Sequence, residues 1–166
     1  MLKGKKVLIT SGGTLEKWDN VRGHTNLSKG IMGTYLAEAA YAAGAEVIYM
    51  HGYFTKLPAH QTEMRLVPFE GIEDLGDKLK KIVQAETVDF VIMAVAGSDW
   101  LVDKVFDQQG NEMTEKGKMP SDEPPIRLYE LVIVEPTLGR KIIELLISLH
   151  VPINDVSSTI KGDPSV

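Results

Sequence analysis

The 166-residue sequence contains no cysteine. That absence excludes disulfides, zinc–cysteine sites, iron–sulfur clusters and a thiol nucleophile. Basic residues are not in excess either, since 18 Lys and Arg stand against 23 Asp and Glu, for a net charge of −5. A general nucleic-acid binder would carry the opposite balance, so nucleic acid is not an expected partner. No apolar run approaches the roughly 20 residues of a membrane-spanning helix. The N-terminus, Met1-Leu2-Lys3-Gly4-Lys5-Lys6, runs straight into Val7-Leu8-Ile9 and has no apolar signal-peptide core. The four histidines (24, 51, 60 and 150) lack metal-ligand spacing, and no protein metal site is expected. What is present is enough apolar residue, 43%, to bury a core, balanced by 25% charged residues. The expectation is one domain over residues 1–166, working in the cytoplasm.

Strand and helix patterns alternate along the chain. Lys6–Thr10 is short, apolar and β-branched, and it leads into the turn signal Ser11-Gly12-Gly13-Thr14. From Gly30 to Ala43 the apolar residues Ile31, Tyr35, Leu36, Ala39 and Ala40 recur at helical spacing, with Gly44 as the stop. Glu46–Met50 reads as a second strand and Met64–Val67 as a weaker third. Ile72, Leu75, Leu79, Ile82 and Val83 form one helical stripe, with Asp77, Lys78, Lys80 and Lys81 between them. Asp89–Ala94 is continuously apolar after its first residue, as a central strand covered on both faces should be. The pattern predicts an α/β fold: a Rossmann-like open, mostly parallel sheet with helices on both faces. A polar flap follows at about 103–125, rich in Asp, Gln, Lys, Glu, Gly and Pro. Ile126–Val134 returns to strand character, Arg140–Leu149 reads as a helix, and the end from Ser157 as loop.

In open α/β sheets, ligands bind beyond the carboxyl ends of the strands. That rule selects Ser11–Lys29, Ala96–Val102 and the polar flap. The first of these leaves its strand through Ser-Gly-Gly-Thr and enters a helix at Ser28-Lys29-Gly30. Its glycines would admit backbone N–H groups to a phosphate, and the helix N-terminus adds partial positive charge. It is neither GxGxxG nor a GxxxxGK[ST] loop, and a plain βα turn capped by Ser28 is an open alternative. Asp103, Asp107 and Glu112 cluster on the flap, where solvated carboxylates are the expectation.

The residues of that first loop go further. Thr10-Ser11-Gly12-Gly13-Thr14, then Asp19-Asn20-Val21-Arg22, then Thr25-Asn26-Leu27-Ser28-Lys29-Gly30-Ile31-Met32-Gly33 resembles phosphopantothenate-cysteine ligase, also called the DNA/pantothenate metabolism flavoprotein family. Gly44-Ala45-Glu46-Val47, Met93–Trp100 and Lys118-Met119-Pro120-Ser121 agree in order with later elements of that family. The resemblance runs from Lys5 to about Leu131.

It implies a nucleotide-dependent amide ligation. The carboxylate of 4'-phosphopantothenate attacks the α-phosphate of CTP, giving an acyl-cytidylate and pyrophosphate. Cysteine's amino group then attacks the acyl centre and CMP leaves. Negative charge builds on phosphate and acyl oxygens in both steps, so fixed donors and cations are required, with Mg²⁺ sharing the phosphate charge. By resemblance, Asn26 is the donor to the acyl-phosphate carbonyl, with a loop-bracing amide as the alternative. Lys118 on the flap would contact the triphosphate. Arg22 would meet a substrate carboxylate or phosphate through its planar fork, in the neighbouring subunit's site of a homodimer. Asp99 would reach the ribose or base, or cap the following segment instead. Gly12, Gly13 and Ser28 would supply close backbone approach. His24 falls where the family motif varies and reads as an ordinary loop histidine.

Two departures bear on this. The flavin-dependent decarboxylase domain fused to many relatives has no counterpart here, so a stand-alone synthetase without flavin is expected. The family's GFKxE strand is also not found near Glu130–Gly139, although Ile153-Asn154-Asp155-Val156-Ser157 resembles the later strand end. A true absence would remove part of the nucleotide pocket and favour an inactive nucleotide-binding relative. An NAD(P)-binding Rossmann oxidoreductase is a further alternative. Against it stand the missing GxGxxG, Met50-His51 where an acidic residue should end the second strand, and the lack of a Tyr-x-x-x-Lys pair.

Overall fold

The computed structural model describes residues 2–106 and 109–112, together with the backbone of strands 131–133 and 153–155. Lys118, Asp107, the helix expected at 140–149 and the end from Ser157 lie outside the described residues.

Among the described residues, five strands form the main sheet: β1 (Lys6–Gly13), β4 (Glu46–His51), β5 (Arg65–Pro68), β6 (Phe90–Ala96) and β9 (Ile153–Asp155). Their order is β5-β4-β1-β6-β9, and every neighbouring pair is parallel. Because successive side chains of a strand point to opposite faces, β1 sends Val7 and Ile9 to one side and Leu8 to the other. All three are at most 1% exposed, which is why the run is apolar without alternation.

Among the described residues, each face is covered by one helix. α1 (Ile31–Ala42) joins β1 to β4, and α2 (Ile72–Ala85) joins β5 to β6. The α2 stripe behaves as its spacing predicts: Leu75, Leu79 and Ile82 pack with Leu8, Ile48 and Val91. Truncating a fully buried leucine such as Leu79 to alanine would cost about 2–5 kcal/mol.

The α1 prediction needs correction. Its buried positions are Gly33, Thr34, Ala37 and Ala40, whereas Ile31 and Tyr35 are 44% and 68% exposed. The reason is distance. The helix lies so near β1 that a Cβ on Gly33 would stand 2.3 Å from Ser11 Oγ, so only the small-residue face fits inward. Its C-terminus ends as expected. Gly44 has φ +89°, a conformation that a Cβ disfavours, and its N–H donates to Tyr41 O while Ala45 N–H donates to Ala40 O. This pair of bonds is a Schellman motif.

Two small antiparallel pairs complete the described fold. β2 (Leu15–Lys17) pairs with β3 (Gly23–Thr25), and β7 (Trp100–Val102) pairs with β8 (Leu131–Ile133). The first pair corrects the reading of Ser11–Lys29 as a simple loop: its middle is a hairpin whose tip is the Asp-x-Val-Arg segment. On the flap, Phe106 bridges Glu112, and Asp103 and Glu112 are exposed as expected, with the Glu112 carboxylate paired to Lys104 at 3.1 Å.

Candidate functional site

The sheet order reverses at β1. The chain goes from β1 through α1 to β4 on one side, while β6 flanks β1 on the other. The carboxyl ends of β1 and β6 therefore bound the crevice where open α/β sheets take their ligands. Gly12, Gly13 and Asn26 meet there with Ala96 and Gly97, whereas Arg22 stands at the hairpin tip.

Gly12 and Gly13 are the last residues of β1, paired in register with Val95 and Ala96 of β6. Gly12 has φ +85°, and a Cβ on it would fall 1.7 Å from Thr55 Oγ1. A Cβ on Gly13 would lie 2.6 Å from the Asn26 carbonyl oxygen. Both glycines are thus required by the protein's own packing. The segment after β4 closes over them, and Gly52 N–H donates to Ser11 O at 3.1 Å.

Asn26 uses both hydrogens of its amide. Nδ2 donates to Ala96 O at 3.0 Å and to Gly97 O at 2.9 Å, fastening the loop to the end of β6. Ser28 is not the N-cap of α1. That position belongs to Gly30, in the left-handed region at φ +68°, and Ser28 Oγ accepts from Gly30 N–H at 3.4 Å. The Gly30 carbonyl instead receives the hydroxyls of Ser11 and Thr34, each at 3.0 Å. Asp99 is exposed, in the turn between β6 and β7.

Arg22 is held within its own turn. Asp19 Oδ1 accepts the N–H groups of Val21 and Arg22 at 2.7 and 2.6 Å, and Arg22 Nη1 lies 3.7 Å from Asp19 Oδ2. That nitrogen is buried and meets no hydrogen-bond partner among the described residues. Lys118 falls outside the described residues.

Three hairpin residues escaped the motif reading. Glu16 is 6% exposed and accepts the Ile72 N–H of α2 at 2.9 Å. Burial pushes its carboxyl above the ordinary value, against the lowering pull of the Thr14 hydroxyl and the Ile72 N–H. Trp18 Nε1–H donates to His24 Nδ1 at 3.0 Å. His24 is therefore not an ordinary loop histidine, because its other nitrogen lies 3.2 Å from Ser98 Oγ. The cross-strand register Glu16–His24 was the signal for these contacts, and it is invisible until the hairpin is recognised.

An open α/β domain with a parallel sheet whose strand order reverses at β1 falls in the class of Rossmann-like folds. The family described as DNA/pantothenate metabolism flavoprotein C-terminal domain matches residues 2–128, and the chain belongs to it. The chain is 35% identical over 101 residues to the coenzyme A biosynthesis bifunctional protein CoaBC of Thermococcus kodakarensis, covering 61% of this chain and 24% of that protein. Against its namesake from Bacillus subtilis the identity is 37% over 108 residues, covering 65% and 26%. The match thus spans about a quarter of these relatives. Among solved structures, the C-terminal domain of a CoaBC aligns with TM-score 0.56 at 27% identity, over 95% of this chain and 79% of that one. A DNA/pantothenate metabolism flavoprotein from Streptococcus pneumoniae aligns with TM-score 0.58 at 21% identity, over 96% and 85%, a likeness of fold.

Proposed function

We propose that the protein is a phosphopantothenate-cysteine ligase of coenzyme A biosynthesis, activating 4'-phosphopantothenate with CTP and joining the acyl-cytidylate to cysteine. The observation that carries this reading is the convergence of the motif-bearing segments: the glycine end of β1, Asn26 and the Ala96–Asp99 turn meet at one crevice. Family membership and the coenzyme A role in the names of the CoaBC relatives support it.

In this reading the protein's task is to hold reacting groups together and to stabilise charge on the acyl and phosphate oxygens. Asn26 is the donor to the acyl-phosphate carbonyl. Both its amide hydrogens are engaged with backbone carbonyls, so substrate must displace one of these bonds. Asp99, exposed in the turn after β6, is the contact for ribose or base. Gly12 and Gly13, buried beneath Thr55 and Asn26, allow the close packing behind the crevice, and Ser28 stands at the entry to α1; Lys118 serves the triphosphate, and Arg22 serves a substrate anion across a homodimer. Among the described residues no group of three His, Asp or Glu forms a cation cage. Mg²⁺ would be brought in on the triphosphate, since this ion usually keeps substrate phosphates among its ligands. When bound it neutralises phosphate charge. The reaction is assigned to the cytoplasm. Among the described residues no helix is long and apolar enough to cross a membrane.

The test is pyrophosphate release from CTP and 4'-phosphopantothenate, with and without cysteine. Wild type should release pyrophosphate without cysteine and make the amide only when cysteine is present. Asn26→Asp and Lys118→Gln should each lose at least about tenfold in rate, the scale of one charge-assisted hydrogen bond. Release no faster than background in the wild type would end the ligase reading.

A further inference from the structure

We propose that His24 is a positioning residue for the turn that carries Asp99, with its tautomer set by the indole of Trp18. The proposal deepens the ligase reading and rests on it for the identity of the ligand.

The argument begins with hydrogen-bonding capacity. An indole N–H is a donor and nothing else. Trp18 Nε1 lies 3.0 Å from His24 Nδ1, so that nitrogen must present its lone pair. The ring proton of the neutral imidazole is therefore on Nε2. Nε2 stands 3.2 Å from Ser98 Oγ and 3.3 Å from Trp100 O. The Ser98 hydroxyl spends its own hydrogen on Trp100 O at 2.8 Å, which leaves its lone pairs for incoming donors. Trp100 N–H is one of these, at 3.3 Å, and His24 Nε2–H is the other. The bonds run in one direction, from Trp18 through His24 and Ser98 to Trp100 O, and each polarises the next.

The geometry of β3 explains why this histidine acts on the same turn as Asn26. Residues two apart on an extended chain point to the same face. His24 lies in β3 and Asn26 just beyond its end, and both side chains reach the segment Ala96–Trp100. Asn26 holds the carbonyls of Ala96 and Gly97, His24 holds Ser98 and Trp100, and Thr14 Oγ1 accepts the Ser98 N–H at 2.9 Å. Asp99 is suspended between the two clamped residues. Behind His24, its cross-strand partner Glu16 is fixed to the first turn of α2, so the hairpin cannot shift without breaking a buried bond.

Three forms of the full chain test this: wild type, His24→Phe and His24→Gln. Phenylalanine fills similar space with no polar atom, whereas glutamine can keep an N–H directed at Ser98. His24→Phe should raise KM for CTP about tenfold, equivalent to roughly 1.4 kcal/mol, while kcat stays within about threefold. His24→Gln should recover most of that loss. A KM for CTP unchanged in a folded His24→Phe protein would overturn the proposal. Equal damage to kcat and to every KM in both variants would overturn it too, since that marks general loosening.

A readout without ligand separates this proposal from the ligase reading. The chain has two tryptophans, so two indole N–H signals are expected in a ¹⁵N–¹H spectrum, and Trp18→Phe assigns one. His24→Phe should shift the Trp18 indole signal and the backbone amides of Ser98–Trp100, and wild-type imidazole nitrogens should report the Nε2–H tautomer. An Nδ1–H tautomer, or turn amides indifferent to His24→Phe, would refute the positioning role even if ligation is active. Those shifts together with an inactive wild type would refute the ligase reading alone.

Discussion

Glu16 lies beneath the hairpin with its carboxylate on the Ile72 N–H, satisfying one of the open donors at the start of α2. Glu16→Ala leaves that buried donor without an acceptor, so a loss of about 1–3 kcal/mol is expected in a urea melt. Glu16→Gln keeps an acceptor oxygen and should lose less. The pH dependence follows from burial, which raises this carboxyl in the fold above the reference value of 4.5. From there up to the raised value the native state holds more protons than the unfolded chain. This group's contribution to stability therefore falls as pH rises through that window. Glu16→Gln should remove that slope, and melts from about pH 4 to pH 7 would detect it. Nothing in the spacing of Glu16 announces this role, because its partner is 56 residues away. Asn26 was legible through its motif. What the motif did not say is that both its hydrogens already brace the end of β6.

At the scale of elements, α2 shows how much a stripe can predict and α1 shows where a stripe misleads. A helix set at ordinary distance buries its large apolar side, as α2 does. One pressed against a strand buries its smallest side, and α1 turns Met32 and Tyr35 outward. The outer part of α1 also carries an ion pair. Glu38 Oε2 meets His60 Nδ1 at 2.6 Å, its Oε1 takes the His60 N–H at 3.0 Å, and the imidazole stacks on Tyr41. Glu38 raises the His60 pKa above 6.5, and His60 lowers the Glu38 carboxyl below 4.5. The histidine's contribution is complete below 6.5 and lost as pH rises through its raised value. The carboxylate's is present above 4.5 and lost as pH falls through its lowered value. An NMR titration of His60 should thus give a midpoint above 6.5, returning toward 6.5 in Glu38→Gln. An unchanged midpoint would rule out the pair in solution.

Across the whole molecule, the parallel sheet separates two ends. All five strands start at one edge, and that edge is a lattice of ion pairs. Lys6 meets Glu86 and, at 3.2 Å, Glu46, while Arg65 also meets Glu86. Lys5 Nζ and the Lys6 N–H lie 2.8 Å from the two Asp89 carboxylate oxygens. Lys6, with Arg65 after it, holds the Glu86 carboxyl below 4.5, and Lys5 holds that of Asp89 below 3.8. Their stabilisation is present above those values and lost as pH falls through the lowered ones. The urea-midpoint difference between wild type and Glu86→Gln should therefore be widest near neutrality and close progressively in acid. A difference independent of pH would discount the lattice. The proposed ligand site lies at the opposite edge, so Glu86→Gln should leave CTP binding intact.

By itself the sequence determined the strands and helices of the parallel sheet from Lys6 to Ala96, and the motif that places glycines and an asparagine after the first strand, because periodicity and short motifs are local properties. Only the tertiary structure decided that the first loop folds into a hairpin, that α1 packs by its small face, and that Glu16 and His24 tie this hairpin to α2 and to the Asp99 turn. Those outcomes depend on contacts between residues tens of positions apart. Burial and hydrogen-bond satisfaction select such pairs, and no single stretch of chain encodes them.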